Sequence, residues 1–386
     1  MIINWGELTP QRFLSEYWQK KPLLIKKGMV DEFEHQFIDP LDANELAGLA
    51  MEEEIQSRII SHKNESDWSV EHGPFEHFDQ YGEQDWTLLV QATNNWSAET
   101  NELLKPFNFI PSWRLDDVMV SFSTPGGGVG AHLDQYDVFI IQGEGKRHWQ
   151  VALPDDSLVN LLPHPDLKQV SEITPVIDVI TESGDILYIP PNHAHKGTAI
   201  ENSLNYSVGF QAPSAQELWS AFADKLLDQD LATARFADPN RQPTKNPNVM
   251  SDADKQALKQ FMLKELDNEA VFNDFVSSYL TKNHHQLDIV EPEDEITPQQ
   301  LSKLVEQQLV SIEPVLGLKS HLNQDKTKVY INGDSFELCP KTQFLAIHLA
   351  NNEPLHPEIL PSLTACLKNN QLLTRVINMG YWYILD

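Results

Sequence analysis

The stretch GGGVGAHLDQYDVFIIQGEGKRHW, residues 126–149, decides the fold predicted for this chain. Short apolar or alternating runs of the same kind recur from about Trp113 to Phe210, separated by turn sequences rich in Gly and Pro. They include DVMVSFS, HWQVAL, DILYIP and NYSVGF. Several short strands without long intervening helices are typical of an antiparallel sandwich or barrel. We therefore predict a closed or two-sheet β-fold here.

Candidate metal ligands occur at two places in this β region. If the first stretch is extended, His132 and Asp134 point to the same face, because side chains at i and i+2 are neighbours on one side of a strand. The later sequence PPNHAHKG offers His193 and His195 directly after a strand-like run. Two histidines and one carboxylate form the facial triad of non-haem Fe(II) oxygenases. An isolated His-x-Asp pair also occurs at solvated strand ends, so the second histidine pair is what favours a metal site.

The rest of the chain is mostly helical in character. Residues 63–80 are polar and are predicted to form a loop. Ser214 and Glu217 make a plausible capping box ahead of a helix, and Ser251 is a second candidate cap. The strand-rich texture therefore ends near residue 213, and a helical region follows.

The last part of the chain combines helices with a hairpin. The run EPEDE at residues 291–295 has the composition of a linker, and Thr297 with Pro298 begins the next helix-like segment. Asn332-Gly333 between strand-like flanks is a strong hairpin signal. Residues 291–386 contain seven Lys and Arg against twelve Asp and Glu. We predict a small winged-helix-like domain that makes protein contacts and does not bind DNA.

The composition excludes several classes of protein. There are 28 Lys and Arg against 57 Asp and Glu, a formal net charge of −29, which argues against nucleic-acid binding and favours a basic partner. The only cysteines, Cys339 and Cys366, exclude a disulfide scaffold and a cysteine zinc site. No apolar run reaches about 18 residues and the N-terminal residues lack an apolar signal-peptide core. We expect a cytoplasmic protein with no membrane association.

Three segments carry a family resemblance: HLDQYDVFIIQGEGKRHW (132–149), SGDILYIPPNHAHKG (183–197) and ENSLNYSVGFQAP (201–213). They resemble the bacterial branch of the JmjC-type cupin oxygenases, in particular the ribosomal-protein arginine hydroxylases. The opening EYWQKKPLLIKKG (16–28) is also similar, so the resemblance covers essentially the whole chain.

The resemblance implies an α+β architecture in three parts. A double-stranded β-helix, the cupin or JmjC jelly roll, would occupy residues 1–212. A helical dimerisation region would occupy residues 213–290, so that the protein is expected to be a homodimer. The winged-helix-like domain would occupy residues 291–386.

The resemblance also implies a metal and its cosubstrates. Fe(II) would be bound by His132, Asp134 and His195, with 2-oxoglutarate and O₂ as cosubstrates. His193 is then expected to be an exposed loop imidazole, with a supporting role beside the metal as the alternative.

The family pattern places the anchor for the far carboxylate of 2-oxoglutarate at Arg147, since an arginine fork can satisfy a carboxylate with two hydrogen bonds. Lys146 should then point outward as a solvated cation, because neighbours on a strand face opposite ways. Ser123 and Asn205 match polar positions of the family's cosubstrate pocket, although each could equally be a plain strand residue. His148, beside the anchor, departs from the basic residue expected there.

Three further residues match positions that hold a substrate arginine in this family. Asp117 and Met119 share one face of their strand, and Tyr136 shares a face with His132 and Asp134 if that segment is extended. An acid, a thioether and a phenol would hold a guanidinium by ion pairing, packing and cation–π contact. In the alternative, Met119 is a core residue and Asp117 a surface acid.

The implied reaction is hydroxylation of the β-carbon (C3) of an arginine in a large-subunit ribosomal protein, ribosomal protein sixteen. The net negative charge fits a basic ribosomal protein as substrate. One alternative is a ribosomal-protein histidine hydroxylase, which Asp117 disfavours because neutral imidazole gains less from an acid. The others are a non-catalytic metal-binding cupin sensor and a metal-dependent isomerase.

Overall fold

The computed structural model describes residues 1–64, 67–307 and 310–385, which divide into two compact units. The first unit contains residues 1–212, 284–291 and 315–318, and the second contains the remaining described residues. The three-part division at residues 212 and 290 stays a prediction.

The first unit is built from short antiparallel strands and three short helices. Its strands are β1 (Ile2–Ile3), β2 (Leu23–Ile25), β3 (Met29–Val30), β4 (Ser57–Asn64), β5 (Asp67–His72), β6 (Trp86–Val90), β7 (Leu115–Ser123), β8 (Asp137–Gln142), β9 (Arg147–Ala152), β10 (Asn160–His164), β11 (Leu167–Val170), β12 (Pro175–Thr181), β13 (Ile186–Ile189), β14 (His195–Ala199) and β15 (Ser203–Phe210). Its helices are α1 (Pro10–Glu16), α2 (Ala43–Leu49) and α3 (Ala98–Glu102).

Two antiparallel sheets dominate this unit. The larger has eight strands in the order β2-β13-β8-β15-β7-β6-β4-β5, and the smaller has three in the order β12-β9-β14. Strands β10 and β11 form a separate hairpin, and β1 pairs with β3. Several neighbours in the sheets, such as β2 with β13 and β7 with β15, are distant in sequence, as in a jelly roll. The predicted two-sheet β-fold is confirmed.

The alternation of β7 shows how the eight-stranded sheet separates core from cavity. Val118 and Val120 are fully buried in the main apolar core on one face. Asp117, Met119 and Ser121 point to the opposite face and line a cavity. Polar residues at alternate positions of a buried strand therefore mark the functional face.

Helix α1 covers the core face of the sheet. Thr9 caps it by accepting a hydrogen bond from the backbone N–H of Arg12, which starts the helix at Pro10 as its sequence suggests. Phe13, the buried residue of this helix, packs edge-on against Tyr188 with ring centroids 4.8 Å apart. The helix thus seals the aromatic core beneath the strands that carry the site.

The loop predicted at residues 63–80 is wrong in its first part. Strands β4 and β5 form an antiparallel pair that extends to His72. Strand β5 is the edge of the eight-stranded sheet, and Val70 is its buried residue. An edge strand with one covered side chain can be polar almost throughout, so hydrophobic patterning does not reveal it.

The second unit is mainly helical. Its helices are α4 (Ala215–Asp228), α5 (Asp252–Leu263), α6 (Glu269–Thr281), α7 (Pro298–Gln307), α8 (Gln343–Asn351), α9 (Leu360–Thr364) and α10 (Leu367–Asn378). Its strands are β16 (Ser311–Pro314), β17 (Ser320–Leu322), β18 (Lys328–Ile331), β19 (Asp334–Glu337) and β20 (Trp382–Leu385). β17, β18 and β19 form one antiparallel sheet, and β16 pairs with β20.

Local sequence signals set several boundaries of this unit. The Ser214–Glu217 capping box is present at the start of α4, and Ser251 caps α5. Asn332 and Gly333 both have positive φ, 47° and 93°, as a two-residue hairpin turn between β18 and β19 requires. Helices followed by a hairpin agree with the winged-helix prediction. Among the described residues of the whole chain, no helix is long and apolar enough to cross a membrane.

Candidate active site

A cavity of about 590 Å³ lies within the first unit. Its wall combines the polar face of the eight-stranded sheet with residues of the three-stranded sheet and of the segment before β8. Eight of the nine site residues predicted from sequence line it: Asp117, Met119, His132, Asp134, Tyr136, Arg147, His195 and Asn205.

The segment that carries His132 and Asp134 is not a regular strand, contrary to the extended conformation considered from sequence. A single β-bridge joins His132 to His195, the first residue of β14, with backbone hydrogen bonds of 3.0 Å in both directions. The carbonyl of Asp134 accepts a bond of 2.7 Å from the backbone N–H of Asn192. Two loops are therefore clamped together beside the three-stranded sheet, and their side chains converge.

The three candidate metal ligands face one another. The Nε2 atoms of His132 and His195 lie 3.7 and 3.4 Å from Oδ2 of Asp134. Each histidine directs Nδ1 at a backbone carbonyl, His132 at Gly130 (3.2 Å) and His195 at His193 (2.9 Å). If each Nδ1 carries the proton, it donates to its carbonyl, and the lone pair of each Nε2 is left free on the side of the ring nearest Asp134. This is the tautomer that binds a metal through Nε2.

The electrostatics of this group favour a cation. Burial alone would raise the pKa of Asp134, but its hydrogen bonds with His132 and His195 outweigh burial and hold the pKa well below its usual range. Burial lowers the pKa of His195, helped by the charge of His132. An ionised carboxylate beside a neutral imidazole is a ligand set that binds a divalent metal directly.

Close packing beside His195 depends on a glycine. Gly197, two residues later on β14, lies under the ring of Trp149, and a Cβ there would come within 2.6–2.8 Å of three ring carbons. The Trp149 ring centroid is 6.2 Å from that of His195. In the sequence HKG, His195 is therefore a candidate metal ligand, and Gly197 leaves room for the Trp149 ring that packs beside it.

Arg147 reaches into the cavity from the start of β9. Its guanidinium donates to Ser121 Oγ (2.9 Å) and Ser203 Oγ (3.0 Å) and to the carbonyls of the same two residues at 2.9 and 3.0 Å. Among the residues that the structure describes, no carboxylate lies within ion-pair distance of it. Burial lowers the pKa of Arg147 to about 9. A buried cation held only by neutral oxygens is a site for an anionic ligand.

The two neighbours of Arg147 in the sequence face away from the cavity. Lys146 is exposed and forms a 2.6 Å ion pair with Glu182, which agrees with the outward orientation expected. His148 is also exposed and lies 2.5 Å from Asp178 on β12. Only one of the basic residues in KRH is thus available to a ligand in the cavity.

Asn205 and Ser123 differ in position. Asn205 is 1% exposed, lines the cavity, and neither its Oδ1 nor its Nδ2 has a hydrogen-bond partner among the described residues. Ser123 does not line the cavity; its hydroxyl lies 2.8 Å from that of Thr87, which does. A buried amide with four unused hydrogen-bonding positions is costly unless a ligand satisfies it.

Asp117 lies on β7 and lines the same cavity as the triad. It is 5% exposed, which contradicts the alternative of a surface acid. Its Oδ2 accepts hydrogen bonds from Gln91 Nε2 (2.6 Å) and the backbone N–H of Ala92 (2.9 Å). Burial raises the pKa of Asp117, and the charge of His285 opposes that rise. The carboxylate is thus anchored on one oxygen, with its other oxygen available to a cation.

Met119 and Tyr136 complete this part of the cavity. Met119 lines it and also packs against the small apolar cluster that contains Leu89, so it is partly a core residue. Tyr136 is 37% exposed and lies next to the start of β8. An apolar stem, an aromatic ring and an acid therefore line the same cavity.

His285 approaches Asp117 from the later segment of the first unit. Its Nε2 lies 3.7 Å from Asp116 Oδ1 and 4.0 Å from Asp117 Oδ2. This contact is not predictable from the sequence, because about 170 residues separate the partners and no motif links them.

The expectation that His193 is an exposed loop imidazole is wrong. It is 4% exposed, and its Nδ1 lies 3.0 Å from the carbonyl of Pro191. Its own carbonyl is the partner of His195 Nδ1. Because the HAH turn folds back onto the sheet, its backbone orients the neighbouring imidazole.

Other residues of the site were also missed. Ser121 on β7 and Ser203 on β15 bind Arg147, and of these two Ser121 lines the cavity. Arg58 of β4 lines the cavity as well. Strand pairing alone brings these residues to the site, so no local signal could have identified them.

Comparison with known proteins agrees with this geometry. Residues 102–218 match the family model described as the JmjC domain, and residues 264–383 match the ROXA-like winged helix. The winged-helix prediction is therefore confirmed. The chain is 40% identical to the ribosomal protein uL16 3-hydroxylase of Escherichia coli (strain K12) over 387 residues, covering 99% of this chain and 98% of that protein.

Solved structures agree over the full length. The X-ray structure of E. coli YcfD has a TM-score of 0.90 at 39% identity and covers all of both chains. The structure of YcfD, a ribosomal oxygenase from E. coli, in complex with cobalt and 2-oxoglutarate has a TM-score of 0.88 at 38% identity, covering 100% of this chain and 99% of that one. The jelly-roll prediction is confirmed, and this chain belongs to the JmjC-domain ribosomal oxygenase family.

Proposed function

We propose that this protein is an Fe(II)- and 2-oxoglutarate-dependent dioxygenase that hydroxylates the β-carbon (C3) of an arginine in the large-subunit ribosomal protein uL16. One observation carries the proposal: a single cavity contains a His-Asp-His group, a buried acid and a buried arginine that has no carboxylate partner among the residues described. The E. coli relative, 40% identical, is named for hydroxylation of uL16.

The side chains of the cavity fit Fe(II). His132, Asp134 and His195 would hold it, since their ligand atoms lie within 4.8 Å of one another. Two neutral imidazoles and one carboxylate leave positions open on the metal. The backbone carbonyls at both Nδ1 atoms fix the ring orientations before metal binds.

The cavity also fits 2-oxoglutarate. Arg147 would hold the far carboxylate of the diacid, and Asn205 would satisfy its unused amide on the same ligand. Bound Fe(II), with 2-oxoglutarate and O₂, supplies the oxidation that converts C–H into C–OH and 2-oxoglutarate into succinate and CO₂. Because Arg147 is anchored by Ser121 and Ser203, the protein fixes the diacid without reorganising its own side chains.

Asp117, Met119 and Tyr136 would hold the substrate arginine. The carboxylate would pair with the guanidinium, while the thioether and phenol would cover its apolar stem. Because these residues would hold the guanidinium end of the substrate arginine, its β-carbon would lie nearer the metal ligands. The chain's contribution is orientation and exclusion of water, and no general acid or base is required for removal of the hydrogen atom.

A direct assay tests the proposal. The purified protein with Fe(II), 2-oxoglutarate and O₂ is expected to add one oxygen atom to the target arginine of a uL16 peptide, detected by mass spectrometry with fragmentation. A histidine-containing ribosomal peptide is expected to react about tenfold less or worse, because its imidazole leaves Asp117 unpaired. Preference for the histidine peptide, ligand binding without turnover, or conversion without consumption of O₂ would each contradict the proposal.

We further propose that the protein is a homodimer that assembles through its helices at residues 213–290. Large apolar side chains are exposed on each of α4, α5 and α6, including Trp219 (49%), Met262 (67%) and Phe272 (38%). Exposed apolar groups of this size are typical of protein interfaces.

Sedimentation equilibrium tests the dimer. Trp219→Glu with Met262→Glu is expected to shift the protein from dimer to monomer, because two charges would have to be buried in the interface. Gln256→Glu, an exposed polar position on α5, is the matched control and should stay dimeric. A wild-type protein that sediments as a monomer would overturn this assignment.

We propose that the substrate partner is the basic ribosomal protein uL16. The enzyme would encounter uL16 where ribosomes are assembled, and it would not bind nucleic acid directly.

A further inference from the structure

Arg58 is a cation that the reaction described above does not use. It lies on β4, is partly buried and lines the cavity. Within the described ranges 1–64, 67–307 and 310–385, its guanidinium forms neither an ion pair nor a hydrogen bond. By contrast, Asp117 is bound by Gln91, and Arg147 is bound by its serines. The N–H groups of Arg58 are therefore free to donate to a ligand that enters the cavity.

Strand register gives the position of Arg58 relative to the site. It pairs with Leu89 of β6, Leu89 pairs with Ser121 of β7, and Ser121 pairs with Asn205 of β15. Residues paired in this way lie in one row and point to the same face. Arg58 is thus in the row of the proposed cosubstrate residues but two strands further toward the edge.

This separation favours Arg147 over Arg58 as the partner of the far carboxylate of 2-oxoglutarate. At about 4.8 Å per strand, the backbone of β4 lies roughly 10 Å from that of β7. Arg58 also pairs with His72 of the edge strand β5, which lines the cavity with a side chain that is 61% exposed. Arg58 therefore lies near the solvent-exposed rim of the cavity, where the main chain of a bound peptide would enter.

The chemistry of the substrate decides which acceptor Arg58 meets. A second cation near the target guanidinium would repel it unless a neutral or anionic group lay between them. The substrate class is basic, so an acidic side chain is not its general feature, whereas every peptide brings carbonyl oxygens. We infer that Arg58 is a substrate-binding residue that donates hydrogen bonds to main-chain carbonyls of the substrate peptide beside the target arginine. This inference rests on the proposed function.

Steady-state kinetics with the full-length protein test it. Arg58→Met is expected to raise KM for a uL16 peptide about tenfold or more while kcat changes less than about threefold, because a charge-assisted hydrogen bond to the bound peptide is lost. Arg58→Lys should restore part of the affinity. Lys63→Met removes an exposed cation of the same strand that does not line the cavity, and it should change KM less than about twofold.

Peptides with one backbone amide replaced by an ester identify the acceptor, since the ester carbonyl is a weaker acceptor. At one or two positions beside the arginine, the ester peptide should have a higher KM than the amide peptide with the wild-type enzyme. With Arg58→Met, the two peptides should have the same KM. The inference is overturned if Arg58→Met raises KM for 2-oxoglutarate instead, if neutralising an acidic peptide residue reproduces its effect, or if peptide KM is unchanged. A wild-type protein that does not hydroxylate the arginine peptide would contradict the proposed function itself.

Discussion

His195→Ala and Asp134→Ala are expected to reduce arginine hydroxylation to the level without enzyme. Each substitution removes one of three ligand atoms that converge within 4.8 Å. We expect Fe(II) affinity to fall by more than about 100-fold, since even groups that only orient a ligand account for 10- to 100-fold. Anaerobic titration calorimetry measures the binding, and mass spectrometry of the peptide measures the product.

His148→Ala is the matched control for these variants. His148 is an exposed imidazole on β9 that pairs with Asp178 outside the cavity. It should retain wild-type Fe(II) affinity and turnover. If Asp134→Ala retained wild-type Fe(II) affinity, the assignment of the metal ligands would be wrong.

Arg147→Met is expected to raise KM for 2-oxoglutarate by about tenfold or more. Ser121 and Ser203 accept from four of the five N–H groups of the guanidinium, and the fifth can donate a charge-assisted hydrogen bond that contributes roughly 1.5–3 kcal/mol, where 1.4 kcal/mol corresponds to a factor of ten. The side chain is 6% exposed, so water cannot replace it readily. A saturating concentration of 2-oxoglutarate should raise the Tm of wild type and have little effect on the variant.

Lys146→Met provides the comparison for this prediction. It removes the cation next to Arg147 in the sequence, which points to solvent and pairs with Glu182. Its KM for 2-oxoglutarate should stay within about twofold of wild type, because exposed ion pairs contribute little. Equal effects of the two substitutions would mean that general charge, and not the buried fork, determines affinity for the diacid.

The sequence predicted those parts of the site that local patterns encode. The strand texture identified the β region, and the His-x-Asp and HAH sequences supplied His132, Asp134 and His195 as one of two possible ligand sets. The resemblance then distinguished His195 from His193. Alternation within β7 correctly placed Asp117 and Met119 on one face, because the side-chain period of a strand is a local property.

The errors had a different physical origin. Strand β5 was missed because an edge strand needs few apolar residues. The burial of His193 depends on how the turn folds onto the sheet. Ser123 was predicted to line the cosubstrate pocket but lies just beyond the cavity wall, whereas Ser121 binds Arg147. These positions depend on pairing between strands far apart in the chain.

The sequence alone determined the alternation of β7, the helix caps, the Asn332-Gly333 hairpin and the ligand types, because each depends on neighbouring residues and their backbone preferences. Only the tertiary structure decided that Arg147 is buried with no carboxylate of the described part of the chain beside it, and that His285 reaches Asp117. The same holds for Arg58, which faces the cavity without a partner among the described residues. Burial and pairing of charges are set by strand register and by contacts across more than a hundred residues, and no local pattern encodes them.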